Sequence, residues 1–161
     1  MNSKHKSSTY GRPTAVTESF PVSHGGADYA DAFEIGRSPS DKRHAERWAR
    51  DGFEKLPLKS RQTGMLAHRH LLGFRLGPWS SPDHIFGWHI AESLPDVLHL
   101  EAKGNIMDGH MIWRLKGDRL LMTTFVKYNK PRLAAVTWAF AGRIHRNSVP
   151  GLLRLAANVA D

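Results

Sequence analysis

Cysteine is absent from this 161-residue chain, which removes disulfides, thiolate metal sites and cysteine nucleophiles together. Long apolar runs are absent too. The longest, Leu133 to Gly142, is interrupted by Thr137 and falls short of the roughly 20 residues that a membrane-crossing helix needs. Residues 1–27 are polar and small where a secretory signal would need an apolar stretch of about 7–15 residues behind a basic start. No integral membrane segment is therefore expected, and a cytoplasmic location is the economical reading. The chain also lacks a Gly-x-x-x-x-Gly-Lys loop, a Gly-x-Gly-x-x-Gly strand-to-helix turn and a Gly-x-Ser-x-Gly elbow. Nucleotide cradling and serine-hydrolase chemistry are left without support, and no cofactor is expected.

Acidic residues are the minority, 15 against 23 Lys and Arg, for a net charge of +8. Lys4, Lys6 and Arg12 against Glu18 give the first 27 residues a net +2, so +6 falls on residues 28–161. That excess is scattered. Lys42, Arg43, Arg47 and Arg50 alternate with Asp41, Glu46, Asp51 and Glu54 as on a solvated helix face, and no run resembles a basic recognition helix. Nucleic acid is not an expected partner, although a basic exterior would also suit an interaction module for anionic lipid or nucleic acid.

What is present is a hydrophobic fraction of 40%, enough for the core of one domain. Residues 1–27, rich in Ser, Thr, Gly and Pro, read as a flexible leader, and residues 28–161 as a single domain. Asp28–Ile35 carries Tyr29, Phe33 and Ile35 at alternate positions, a half-buried strand. Ser38-Pro39-Ser40-Asp41 has the form of a helix start with Ser38 as N-cap, and Ala45, Trp48, Ala49, Phe53 and Leu56 follow at helical spacing. Leu58, Met65, Leu66 and Leu72 predict a second helix, interrupted at Gly64.

Four β-compatible runs come next: Ile85–Glu92, Val97–Lys103, Ile106–Lys116 and Arg119–Asn129. Their separators include Gly104-Asn105 and Gly117-Asp118, pairs suited to tight hairpins that need φ > 0. From Pro131 a helix runs to about Ala160. Leu133, Val136, Phe140, Ile144, Leu152, Leu155 and Val159 form its predicted core-facing stripe, and Pro150 should kink or divide it. The order is α+β: strand, two helices, strand meander, long helix.

Three segments carry a resemblance: Asp28-Tyr29-Ala30-Asp31-Ala32-Phe33, Thr123-Thr124-Phe125-Val126-Lys127-Tyr128-Asn129, and Arg143-Ile144-His145-Arg146-Asn147-Ser148-Val149-Pro150-Gly151-Leu152-Leu153. They resemble the bacterial domain of unknown function 2867 family, which is similar to the START-like, polyketide-cyclase (SRPBCC) superfamily. That resemblance implies a helix-grip fold, a curved antiparallel sheet wrapped round the C-terminal helix, with an apolar cavity between them for a hydrophobic small molecule. Most such relatives bind and a minority are cyclases, aromatases or hydratases; no catalytic motif carries over. The typical fold has a longer meander than four strands unless Leu72–Leu76 or Trp79–Ser81 adds another.

Alternation names the residues that could line such a cavity. Met107, Gly109, Met111, Trp113 and Leu115 share one face of their strand, joined by Trp88, Ile90, Leu98 and Leu100. In the last run either Met122, Thr124 and Val126 or Thr123 and Phe125 belong to it. With Phe140, Ile144 and His145 on the helix, the candidate ligand-binding set is Trp88, Ile90, Leu98, Leu100, Met111, Trp113, Thr124, Phe140, Ile144 and His145. Ordinary core packing is the favoured alternative for each apolar member. His145 is the single catalytic candidate, as a general acid/base or an anchor for a ligand oxygen; capping a carbonyl near Pro150 is its structural alternative. Lys127, Tyr128 and Asn129 end the last strand beside it. Among ten histidines only His68 and His70 are close, their rings diverge on a helix, and no metal is expected. Glu92, Asp96, Glu101 and Asp108 fall near turns, where solvated acids are the rule.

Overall fold

The computed structural model describes residues 12–16 and 26–158. Most of the expected leader, residues 1–11 and 17–25, lies outside them, as does Val159 of the expected helical stripe. In chain order the elements are β1 (Thr14–Val16), β2 (Tyr29–Gly36), α1 (Ala45–Glu54), α2 (Leu58–Leu66), a π-helical turn (Ala67–Leu71), β3 (Ser80–Ser81), β4 (His84–Ile85), β5 (Trp88–Ser93), β6 (Val97–Ala102), β7 (Met107–Lys116), β8 (Arg119–Tyr128) and α3 (Pro131–Ala157). The strands form one antiparallel sheet in the order β1-β2-β8-β7-β6-β5-β4-β3. The fold is α+β, an open sheet whose inner face carries α1 and the long C-terminal helix, in the helix-grip manner.

The meander is longer than the four runs suggest. Ile85–Glu92 is two strands, because Phe86 and Gly87 turn at φ 53° and 76° and bring Ile85 opposite Trp88. Ser80–Ser81 then adds a further short strand, while Phe74 makes an isolated bridge to Gly104. A left-handed conformation costs a bulky residue about 1–2 kcal/mol. Burial offsets it here: Phe86 stacks on Phe53 at 4.9 Å and meets Trp79 edge-on. Gly117 turns the β7–β8 hairpin at φ 55° as alternation requires, but Gly104 serves a different purpose. A Cβ at Gly104 would lie 2.6 Å from the Gly73 carbonyl oxygen, so close backbone approach, not a positive φ, demands glycine. At the other edge, Thr14–Val16 pairs with Ala32–Glu34, so three residues of the expected leader belong to the sheet.

The first helix starts at Ala45, later than the Ser38-Pro39-Ser40-Asp41 signal suggests. Asp41 accepts from the Arg43 backbone amide and guanidinium, and the amide of Ala45 reaches the Pro95 carbonyl at 3.0 Å. Asp41 is thus taken by an arginine, and a carbonyl of the β5–β6 turn supplies the acceptor that the helix end needs. From there Ala45, Trp48, Ala49 and Phe53 are buried as their spacing predicts. The second helix passes Gly64 without interruption and buries no residue; Leu58 and Leu66 are exposed, while Met65 packs against the core and Leu72 is buried beyond it.

The C-terminal helix runs through Pro150 undivided. It buries Ala134, Trp138, Ala141 and Gly142 in its first half, and Leu133, Val136, Phe140 and Ile144 face outward. The predicted stripe is therefore reversed over that half. Small residues let the backbone approach β2 and β8 while Trp138 supplies the buried area, a face that aliphatic periodicity alone does not pick out. Beyond Pro150, Leu152 and Leu153 are buried, and a Cβ at Gly52 would stand 3.1 Å from Ala156.

Candidate functional site

Antiparallel pairing sets the inner face row by row. Asp31 pairs with Thr124, Thr124 with Met111, Met111 with Leu100, and Leu100 with Ile90. Four of the expected lining residues thus form one unbroken row across four strands, and Asp31 is its fifth member. The next row holds Phe33, Met122, Trp113 and Leu98. This settles the two alternations of β8: Leu120, Met122, Thr124 and Val126 face inward, and Thr123 and Phe125 face away. The opposite face is buried at its centre as well, with Phe125 stacked on His110 at 4.6 Å.

At the β2 end of the row the chemistry is polar. His145 Nε2 lies 3.2 and 3.3 Å from the two carboxylate oxygens of Asp31. The Tyr29 hydroxyl donates to Asp31 at 2.6 Å and accepts from Arg146 at 3.0 Å. Burial, reinforced by its bond to Asp31, pushes the Tyr29 phenol up to about 12, so it remains a neutral donor. Trp138 packs edge-on against Tyr29 at 5.0 Å and tilted against His145 at 5.6 Å. His145 therefore holds α3 to the sheet through Asp31, and its Nδ1 has no hydrogen bond to another described residue.

On the opposite side stands His68, within the π-helical turn. The Trp88 indole N–H donates to His68 Nδ1 at 3.2 Å. Because indole can only donate, His68 is the neutral tautomer with its proton on Nε2. Burial first, and the positive charge available at His145 second, lower its pKa to about 4. Phe74 and Trp88, edge-to-face at 5.2 Å, fill the space above Gly109, where a Cβ would come within 2.8 Å of both rings.

Within this interior Thr124 Oγ1, Trp113 Nε1 and Trp138 Nε1 are buried without a hydrogen-bond partner among the described residues. Such a group costs about 1–3 kcal/mol, and most are paired in folded proteins. Thr124 is only 3% exposed, so bulk solvent does not reach its hydroxyl.

Of the expected set, the structure brings Ile90, Leu100, Met111, Thr124 and, through Asp31, His145 to one row. Leu98 and Trp113 lie in the row beside it, and Trp88 stands above Gly109. Phe140 and Ile144, 63% and 54% exposed, do not belong to any interior site. Asp31, Tyr29, Trp138 and His68 were missed by sequence reasoning, although parity places Asp31 on the Tyr29 face and a seven-residue spacing places Trp138 on the His145 face. Asn129 donates to the Gly104 carbonyl and to Asp108, which makes it a turn organiser. Two surface clefts, of about 250 and 420 Å³, lie elsewhere: one beside His84, His89 and Glu101, the other between Arg47 and Leu94. Among the described residues no three side chains are grouped to hold a metal, and no helix is long and apolar enough to cross a membrane.

No family model matches the chain, and no curated protein matches it. A solved structure of a protein of unknown function from Pseudomonas aeruginosa, PA94, aligns with 93% of this chain and 85% of its own at 12% identity and a TM-score of 0.23. A likeness that low carries no argument about fold or function.

Proposed function

We propose that the protein binds a small, largely apolar molecule bearing one polar group, held against the inner row between the sheet and its helices. The observation that carries this reading is the row itself. Ile90, Leu100 and Met111 offer apolar area, Thr124 offers a buried hydroxyl with no hydrogen-bond partner among the described residues, and Asp31 with His145 closes the polar end. Apolar contact at about 25 cal/mol per Å² supplies affinity, and the sparse polar groups supply orientation. The clefts beside His84 and beside Arg47 do not reach this row, so neither is its entrance. Entry is by way of the second helix, which has no fully buried residue, touches the core through Met65 and leads into the π-turn that carries His68. The START-like resemblance points the same way.

Ligand-directed measurements test this reading directly. Native mass spectrometry of the protein from its own cells should show an added small-molecule mass, and a lipophilic panel should raise thermal stability, by about 2.7 kcal/mol at a hundredfold excess over Kd. An unmodified mass together with no shift from any panel member contradicts it.

A second reading, a cyclase- or hydratase-type enzyme, is favoured by the Asp31–His145 pair. A carboxylate on Nε2 orients an imidazole whose Nδ1 can take or give a proton. On this reading His145→Ala abolishes turnover while unfolding stays cooperative; loss of cooperative folding would mark His145 as structural.

A further inference from the structure

The aliphatic stripe of α3 lies outside the core. Leu133, Val136, Phe140 and Ile144 are 49%, 73%, 63% and 54% exposed. At about 100° per residue they lie along one line of the helix, roughly 125° round from the side of Ala134, Trp138, Ala141 and His145, and span roughly 16 Å. Contiguous exposed apolar patches of this kind mark interaction surfaces.

The charges around the ridge decide what covers it. The helix contains Arg132, Arg143, Arg146 and Arg154 and no Asp or Glu, and Lys127 and Lys130 precede it. Arg132 and Arg143 are exposed on the same flank of the ridge. Two copies joined ridge to ridge would bring these arginines together with no carboxylate on either helix to pair them. An anionic bilayer meets both features, because apolar side chains enter the headgroup boundary while arginines contact lipid phosphates.

We propose that α3 docks the protein on an anionic membrane surface, with Leu133, Val136, Phe140 and Ile144 inserted and Arg132 and Arg143 at the headgroups. This surface is independent of the ligand row, which lies on the other side of the helix.

Co-sedimentation of the full chain with phosphatidylcholine vesicles, with and without phosphatidylglycerol, tests it, alongside the mass by analytical ultracentrifugation. Each basic side chain near the surface strengthens binding about fivefold, so the anionic vesicles should bind on the order of 25-fold more tightly. Val136→Ser with Phe140→Ser should weaken that binding at least about tenfold, and Arg132→Gln with Arg143→Gln should remove the preference for anionic lipid. Both pairs are exposed, and either reads the proposal if the other fails to fold. Equal binding to both vesicles, binding untouched by both pairs, or a dimer that the serine variants make monomeric would overturn it.

Discussion

Thr124 and Thr123 are adjacent, equally buried and chemically identical, yet pleating gives them different surroundings. Thr124 sits between Asp31 and Met111 on the face that α1 and α3 cover, with its hydroxyl unpaired. His68 shows the same dependence on surroundings. Its folded pKa of about 4 lies below the ordinary 6.5, so below pH 6.5 the unfolded chain takes a proton that the folded chain refuses. Stability should therefore fall as pH drops from 6.5 to 4, by up to about 3 kcal/mol from this residue, and level off below. His68→Gln keeps an acceptor for Trp88 but has nothing to titrate there. Urea unfolding at pH 7 and pH 5 should show a smaller acid loss for this variant; equal losses would contradict the assignment.

At the scale of elements, the join between α1 and α3 rests on charge as well as packing. Asp51 is 2% exposed and binds Arg43 at 2.9 Å and Arg47 at 2.8 Å, while Arg43 also reaches the Ala156 carbonyl at 2.9 Å and covers the Trp48 ring. Removing one partner of a buried pair leaves the other uncompensated. Asp51→Ala should cost about 3 kcal/mol in denaturant unfolding, and Arg47→Ala, at the exposed member of the cluster, under about 1 kcal/mol. Equal effects would show that burial does not set the value of these pairs.

Elements also differ in how far they can be read in advance. The β7–β8 hairpin, the α1 stripe and the order of elements were legible because alternation, helical spacing and Gly117 all point one way. Three features were not. Phe86 hides a turn, because its left-handed conformation is held by rings distant in sequence. The α1 start is set by the Pro95 carbonyl, which no local pattern announces. The first half of α3 carries two apolar faces, one aliphatic and one of Ala and Trp, and only the sheet decides between them.

For the molecule as a whole, the site was half legible for the same reason. Parity within each strand named Ile90, Leu100 and Met111, but it left the face of Thr124 open, because both alternations of the last strand carry apolar residues and only pairing with Asp31 and Met111 decides between them. The polar end could not be read, because Asp31 meets His145 across 114 positions of chain and only the assembled fold brings them together. The central claim is that the fold keeps an unpaired hydroxyl beside the polar end of this row for a ligand. Thr124→Val, which swaps that hydroxyl for a methyl group, tests it most directly by thermal unfolding with and without the best member of a lipophilic panel. The account predicts a ligand-free protein that is more stable by about 1 kcal/mol and a ligand that binds roughly five- to tenfold more weakly. A variant that is destabilised without ligand, or that binds as tightly as before, would contradict it.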